Sequence, residues 1–262
     1  MPPHLSSDNP PWARFCGRAH EYAAFRPHYP TGLIDALVQR FGRDEKLPVA
    51  DIGMGTGIFA RVLLERGFAV YGVEPNAEMR ALAQETLAHF PAFRAVAGSA
   101  ERTTLPDASV HFITAAHSFH WFAIEPTRVE FRRISRPPHT VAILWNERLT
   151  ATHPFAASYD ALLWKYGVGY AETLGKQQAQ ESRLPYFYAA PYEHLTAEHT
   201  QILSWDALQG LALSYSFLPR PPHSHFVPFF EELRNLFDKY AENNVVTLIY
   251  RAHLFIGNLG ER

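Results

Sequence analysis

The chain has 262 residues, 24 basic against 26 acidic side chains, a net charge of −2 and 47% apolar residues, with an isoelectric point near 6.7. It is long enough for one large buried core and lacks the basic field that draws a protein to nucleic acid or anionic membrane. The single cysteine, Cys16, excludes an internal disulfide; with no leader-like apolar run and no window of roughly 18 apolar residues, the expectation is a cytoplasmic protein without signal peptide or membrane partner.

Taken in chain order, the elements alternate. Thr31 is placed to cap a helix bearing Leu33, Ile34, Leu37, Val38 and Phe41. Residues 48–52 read as a buried strand, followed by the turn Gly53-Met54-Gly55-Thr56-Gly57 and a helix with Ile58, Phe59, Val62, Leu63 and Leu64, which Gly67 would end. A second strand runs over 68–74, and Asn76 would cap a helix with Met79, Leu82 and Leu87 on one face. Strands follow near 93–97 and at 110–116, then a helix opened by Pro126, then a fifth strand at 140–145. Residues 151–191 break the alternation: they are rich in Trp, Tyr and Phe, with a helix expected near 155–170, and read as an inserted cap. Helices at 205–214 and 228–241 and a β-branched run at 245–256 complete the chain. Alternating strands and helices predict a doubly wound α/β fold around a mostly parallel sheet.

The glycine turn carries the chemistry. A dinucleotide site wants G-x-G-x-x-G, which would need glycine where Ile58 stands; the turn is instead G-x-G-x-G, two residues after Asp51. A carboxylate there repels a pyrophosphate and suits a cationic amino-acid group. Glu74, ending the second strand, is placed to accept the two hydroxyls of a ribose. The pair Asp51 and Glu74 therefore asks for a ligand with a ribose, a positive amino-acid tail and no phosphate, a description S-adenosylmethionine fits. Gly53 and Gly55 are expected to admit no Cβ because the methionine portion lies against them.

With these motifs the sequence resembles the class I S-adenosylmethionine-dependent methyltransferases, and within them the small-molecule, trans-aconitate methyltransferase-like (methyltransferase type 11) branch. Tyr22 to Pro30 looks like that branch's Tyr…Arg-Pro-x-Tyr-Pro signature, Val49 to Ala60 its cofactor loop and Val73-Glu74-Pro75-Asn76 its ribose acid and turn. Gly98 to Glu101 matches its adenine-side loop, and Phe119-His120-Trp121-Phe122 its motif after the fourth strand. The resemblance implies one domain over 1–262, seven strands with an antiparallel last strand, and S-adenosylmethionine converted to S-adenosylhomocysteine. It implies cofactor contacts from Asp51, Gly53, Gly55, Gly57, Glu74, Pro75, Met79, Ser99, Ala100 and Glu101, with Tyr22, Arg26 and Tyr29 closing over the cofactor's carboxylate end and the acceptor. Where the branch commonly has glutamine, an acid and aspartate, this chain has His117, Ala123 and His111, so the substrate's identity does not carry over.

Methyl transfer is one displacement at an activated carbon, so alignment and exclusion of water do most of the work, and a base is needed only if the acceptor must lose a proton. His120, after the fourth strand, is the candidate base or substrate donor; a histidine that only fixes its loop is the alternative. His117, Trp121, Tyr29 and Trp164, with Tyr166 and Tyr170, are the candidate acceptor lining, under the 151–191 cap. Among fourteen histidines, His194 and His199 and the pair His223 and His225 lack the companions of a metal site and read as surface residues, so no metal is expected. The fourth strand lacks the Asn/Asp-Pro-Pro-Tyr element of exocyclic-amine methylases, and no basic cluster with interleaved aromatics appears, so no nucleic-acid partner is expected. Three readings stay open: a methyltransferase for a small organic molecule, with a carboxylate or a hydroxyl as acceptor; a catalytically idle S-adenosylmethionine-binding module; and a nucleotide-cofactor oxidoreductase, which Asp51 and Ile58 oppose. Monomer and dimer are both open.

Overall fold

A computed structural model describes residues 11–42 and 48–260 of the chain. The expectation of no signal peptide falls on residues outside the described range. No described helix is long and apolar enough to cross a membrane.

Seven strands form one sheet: β1 (Val49–Ile52), β2 (Val70–Val73), β3 (Phe93–Val96), β4 (Ile113–Ala116), β5 (Thr140–Arg148), β6 (Tyr192–Leu203) and β7 (Val246–Asn258), in the order β3-β2-β1-β4-β5-β7-β6. β1 to β5 pair in parallel, and the last strand, β7, runs antiparallel. The order reverses between β1 and β4, the switch point at which open α/β sheets bind ligands. The helices are α1 (Ala19–Phe25), α2 (Thr31–Phe41), α3 (Ile58–Glu65), α4 (Ala77–Thr86), α5 (Ile124–Ile134), α6 (Pro154–Tyr166), α7 (Tyr170–Tyr188), α8 (Trp205–Leu213) and α9 (Phe226–Tyr240).

Several expectations shift. Thr31 lies inside α2, whose N-cap is Pro30 with no side-chain cap; proline fixes its own φ and leaves Thr31 nothing to cap. Asn76 does cap α4, accepting the N–H groups of Glu78 and Met79 at 3.0 and 3.1 Å. Gly67 follows the C-cap of α3 in the left-handed region at φ 85°. β6, α1 and most of α7 had no counterpart in the sequence reading. His194 and His199 therefore lie on a strand, and His194 Nε2 meets His253 Nδ1 of β7 at 3.0 Å rather than standing in solvent alone.

The chain divides into two compact units. The sheet unit comprises, among the described residues, 28–42, 48–146, 176–197 and 252–260. Two apolar clusters make its core: one joins α5 and the end of α7 (Phe131, Ile134, Leu184, Phe187) to Ile52, Ile113 and Ile143, the other joins α2 and α3 (Leu33, Leu37, Phe59, Leu63) to Val49, Val70 and Leu144. The second unit comprises, among the described residues, 11–27, 147–175 and 198–251. Its core gathers Phe155, Tyr159, Leu163, Leu208, Leu211, Phe229, Leu233 and Leu248. Gly210 of α8 lets α1 approach: a Cβ there would stand 2.1 Å from the Phe25 ring. The stretch 151–191 thus contributes to both units, 151–175 to the second and 176–191 to the sheet unit.

Candidate cofactor site

β1 ends on Asp51 and Ile52, and the chain then turns over the tip of β2: the N–H groups of Gly53 and Met54 both donate to Val73 O, at 2.9 and 3.2 Å. Gly53, Gly55 and Gly57 all sit at positive φ, 66°, 59° and 83°, where a side chain is strained. Gly53 has a second reason to be glycine: a Cβ would stand 2.7 Å from Ser118 Cβ. Ser118 is held there by its hydroxyl, which donates to Ile52 O at 2.8 Å. The protein's own packing, and not only a ligand, therefore excludes a side chain at Gly53.

Two carboxylates lie beneath this turn, both buried. Asp51 accepts the Thr114 hydroxyl on Oδ1 at 2.9 Å. Its Oδ2 is buried and makes no hydrogen bond of ordinary geometry; the Ala60 N–H, in the first turn of α3, supplies only weak relief. Burial pushes the Asp51 carboxyl up to about 7, with Thr114 opposing and the charge of Glu74 adding to the rise. Glu74 Oε2 accepts the Gly55 N–H at 2.9 Å and Oε1 the Asn76 N–H at 2.8 Å. Burial raises its pKa too, against the two N–H groups and Arg80. Arg80 Nη1 donates to the carbonyls of Glu74 and Pro75, at 2.7 and 3.3 Å, and to neither carboxylate. Met79, in the first turn of α4, is buried, its N–H held by Asn76 Oδ1 at 3.1 Å.

The remaining walls are also tied down. Ser99 and Arg102 exchange backbone hydrogen bonds of 3.0 and 3.2 Å, closing a turn around buried Ala100. Glu130 of α5 fixes the far side, accepting the Thr103 N–H at 2.7 Å and hydroxyl at 2.6 Å. Glu101 Oε1 accepts the Ala123 N–H at 3.0 Å, so this side chain links two loops. After β4, His117 takes a left-handed conformation, φ 57°, with its N–H on Leu144 O at 2.7 Å. His120 follows in the short turn Phe119–Trp121, buried, its ring 5.7 Å from that of His117 and 4.8 Å from that of Trp121. Tyr29 packs edge-on against Phe59 in α3, ring centres 5.3 Å apart.

The structure thus brings Asp51, Gly53, Gly55, Gly57 and Glu74 around one turn, with Pro75 beside Glu74 and Met79 in the first turn of α4. It adds residues that sequence reasoning passed over. Thr114 is one; a hydroxyl in the run Ile113-Thr114-Ala115 was the available signal. Arg183 and Lys176 of α7 are others. Arg183 donates to the carbonyls of His120, at 3.4 Å, and Phe122, and Lys176 Nζ lies 4.9 Å from the Trp121 ring centre. Tyr22, Arg26 and Trp164 belong to the second unit. There Arg26 donates to Ser214 O at 3.1 Å between the Tyr22 and Tyr215 rings, and Trp164 is half exposed.

The donor set fits a cationic, ribose-bearing ligand. Asp51 keeps a buried oxygen without a hydrogen bond of ordinary geometry, Glu74 keeps a second lone pair on each oxygen, and among the described residues no cationic side chain bonds either carboxylate. A pyrophosphate has no such complement here.

Comparison with known proteins agrees. The sequence profile of a methyltransferase domain family matches residues 50–143. An uncharacterised methyltransferase-like protein of Schizosaccharomyces pombe is 32% identical over 147 residues, 56% of each chain. An uncharacterised methyltransferase of Mycobacterium bovis is 36% identical over 129 residues, 48% of this chain and 49% of that one. The chain thus spans about half the length of the curated relatives it matches. Among solved structures, a protein described as a type II methyltransferase from Anaeromyxobacter dehalogenans aligns over 90% of this chain and 99% of its own, with a TM-score of 0.61 at 23% identity, a likeness of fold. The matched domain, the strand order and the glycine turn agree: residues 50–143 of this chain are similar to a methyltransferase domain family, and the fold is like that of the solved methyltransferase.

Proposed function

We propose that the protein binds S-adenosylmethionine at the Asp51–Gly57 turn and transfers its methyl group to a small organic acceptor. The observation that carries this reading is the buried pair Asp51 and Glu74, with Asp51 Oδ2 lacking a hydrogen bond of ordinary geometry beside a turn of three positive-φ glycines. Asp51 accepts the charge of an amino group, directly or through one water, and Glu74 accepts hydroxyls on the lone pairs its N–H partners leave open. Ser99, Ala100 and Glu101 form the wall for the adenine. When bound, the cofactor supplies a methyl group on a positive sulfur, already activated for displacement.

The chain's own contribution is to orient the acceptor and exclude water. His120 takes the acceptor's proton, with His117 and Trp121 beside it. Its loop is held by Arg183, whose guanidinium also lies 5.4 Å from the Phe119 ring centre. The second half of α7 covers this loop within the sheet unit, with Phe187 edge-on to Phe119 at 5.0 Å. Calorimetric titration with S-adenosylhomocysteine tests the cofactor, and S-adenosylhomocysteine formation across a panel of small hydroxy and carboxy compounds tests the reaction. Binding without turnover on any panel member supports an idle binding module instead; absence of binding ends both readings.

A further inference from the structure

The second half of α7 lays one stripe of side chains along the Phe119–Phe122 loop. Lys176, Gln180, Arg183 and Phe187 recur at the helical spacing of three and four residues and so share a face. Three of them show what that face meets. Lys176 Nζ lies 4.9 Å from the Trp121 ring centre, Arg183 donates to the carbonyls of His120 and Phe122, and Phe187 stands edge-on to Phe119. Gln180 sits between Lys176 and Arg183, 3% exposed, on the stretch of helix that covers His120 and Trp121.

Gln180 Oε1 is buried and makes no hydrogen bond among the described residues. The loop beneath it has few donors to offer. The N–H groups of Trp121 and Phe122 are spent within the turn, on Ser118 O and Phe119 O at 3.0 and 3.1 Å, and that of Ala123 on Glu101 Oε1. Arg183, one turn along, directs its Nη groups to the loop's carbonyls. A buried carbonyl without a donor costs free energy that an apolar side chain of similar size would not. Folded proteins hold few such groups, and sites trade stability for function in this way. A glutamine carbonyl oxygen is neutral and only accepts hydrogen bonds. It complements an O–H or N–H group and offers nothing to an apolar carbon in the same place.

We infer that Gln180 reads the methyl acceptor: its buried Oε1 accepts a hydrogen bond from a hydroxyl or N–H group of that molecule and selects it over a counterpart lacking the donor. The inference rests on the methyl-transfer reading and narrows its acceptor. S-adenosylhomocysteine formation is measured for matched pairs: 4-hydroxyphenylacetate against phenylacetate, malate against succinate, and 4-aminobenzoate against benzoate. The first two pairs test a hydroxyl, the third an amine. In at least one pair the member with the donor is expected to have a kcat/KM higher by about tenfold or more, and Gln180→Met to bring that ratio within about threefold. Gln180→Glu, which keeps an acceptor oxygen in place, should retain the preference. A second readout needs no acceptor. In the ligand-free protein Gln180→Met is expected to raise the melting temperature by about 2–4 °C, because it removes an unpaired buried group.

Four results overturn the inference: turnover with no preference for the donor; a preference that survives Gln180→Met; no turnover of any donor-bearing compound by a protein that binds S-adenosylhomocysteine; or a melting temperature unchanged or lowered in Gln180→Met, which assigns the amide to the fold or to a bound water. Calorimetry with S-adenosylhomocysteine and turnover of the donor-free members test the methyl-transfer reading itself. Binding and turnover without the preference sink only the role of Gln180, whereas absence of binding sinks the reading beneath it.

Discussion

Asp51 and Thr114 face each other across the β1–β4 ladder, and the parallel register that pairs them delivers the Thr114 hydroxyl to Asp51 Oδ1 at 2.9 Å. Among the described residues that bond is the side-chain relief of the buried acid, and burial still holds its pKa at about 7. The folded state therefore keeps a proton that the unfolded chain gives up near pH 4. The stability this proton supplies is fully present below about pH 4 and is lost as pH rises through about 7, on the order of 4 kcal/mol. Urea unfolding of the ligand-free protein from pH 4 to 8 should show that decline, and Asp51→Asn should flatten it while weakening S-adenosylhomocysteine. A wild-type slope in the variant would assign the decline to other groups.

Glu74→Ala should weaken S-adenosylhomocysteine binding by roughly 1–3 kcal/mol, the range for losing hydrogen bonds to a charged group. It also strips the Gly55 and Asn76 N–H groups of their acceptor. Glu74→Gln, which keeps a carbonyl for one of them, should recover part of the folding stability and little of the affinity. Calorimetry that finds Glu74→Ala at wild-type affinity would take this residue out of the site.

Gly53→Ala should cost at least about 2 kcal/mol, combining the strain of a positive φ with a Cβ driven into Ser118. The two causes separate in a double-mutant cycle: Ser118→Gly removes the obstacle and leaves the strain. Partial recovery in Gly53→Ala/Ser118→Gly is the expected result. Strict additivity would show that the contact at 2.7 Å plays no part.

His120→Ala should lower turnover by about two to four orders of magnitude, the scale of general-base catalysis, with S-adenosylhomocysteine affinity unchanged. Arg183→Met serves as the comparison, because it frees the loop and leaves the imidazole. If both variants lose activity alike and both bind the cofactor product poorly, the loop's position accounts for the loss and His120 is no base.

Glu130 behaves oppositely to Asp51. Burial alone would raise its pKa, but Arg133 and Thr103 outweigh that and hold it at about 2. Its contribution is present above about pH 4.5 and lost as pH falls through 2. Glu130→Gln should cost about 1–3 kcal/mol near pH 7 and loosen the 98–105 loop, seen as faster amide exchange at Thr103. Unchanged exchange there would mean that the loop holds itself.

The parts of the fold legible in the sequence are those with local causes. The run Val49 to Ile52, the glycine turn and the apolar face of α3 announce a strand, a turn and a helix within sixteen residues. Asn76 announces its cap in the same way. β6 gave no such signal: Glu193, His194, Thr196, Glu198 and Thr200 place polar groups on both of its faces, so neither an apolar alternation nor a buried run appears. Most of α7 was hidden by Gly175 and Pro185, which local rules count as breakers and which the packing of Leu184 and Phe187 overrides. Asp51 and Glu74 were readable from spacing, whereas Thr114, Ser118 and Arg183 come to the site from 40 to 130 residues away, through register and helix packing that spacing alone does not record.

The outermost position of β6 has a consequence for association. A strand at the rim of a sheet offers its free backbone groups to any other extended chain, including a second copy of itself. Here such a visitor would have to displace Arg40 from Glu193 and Arg251 from Glu198, and strip water from a rim that shows Thr196, Thr200 and the two glutamates to solvent. The polar, paired character that hid this strand from the sequence reading is thus what makes it a poor template for sheet-to-sheet growth.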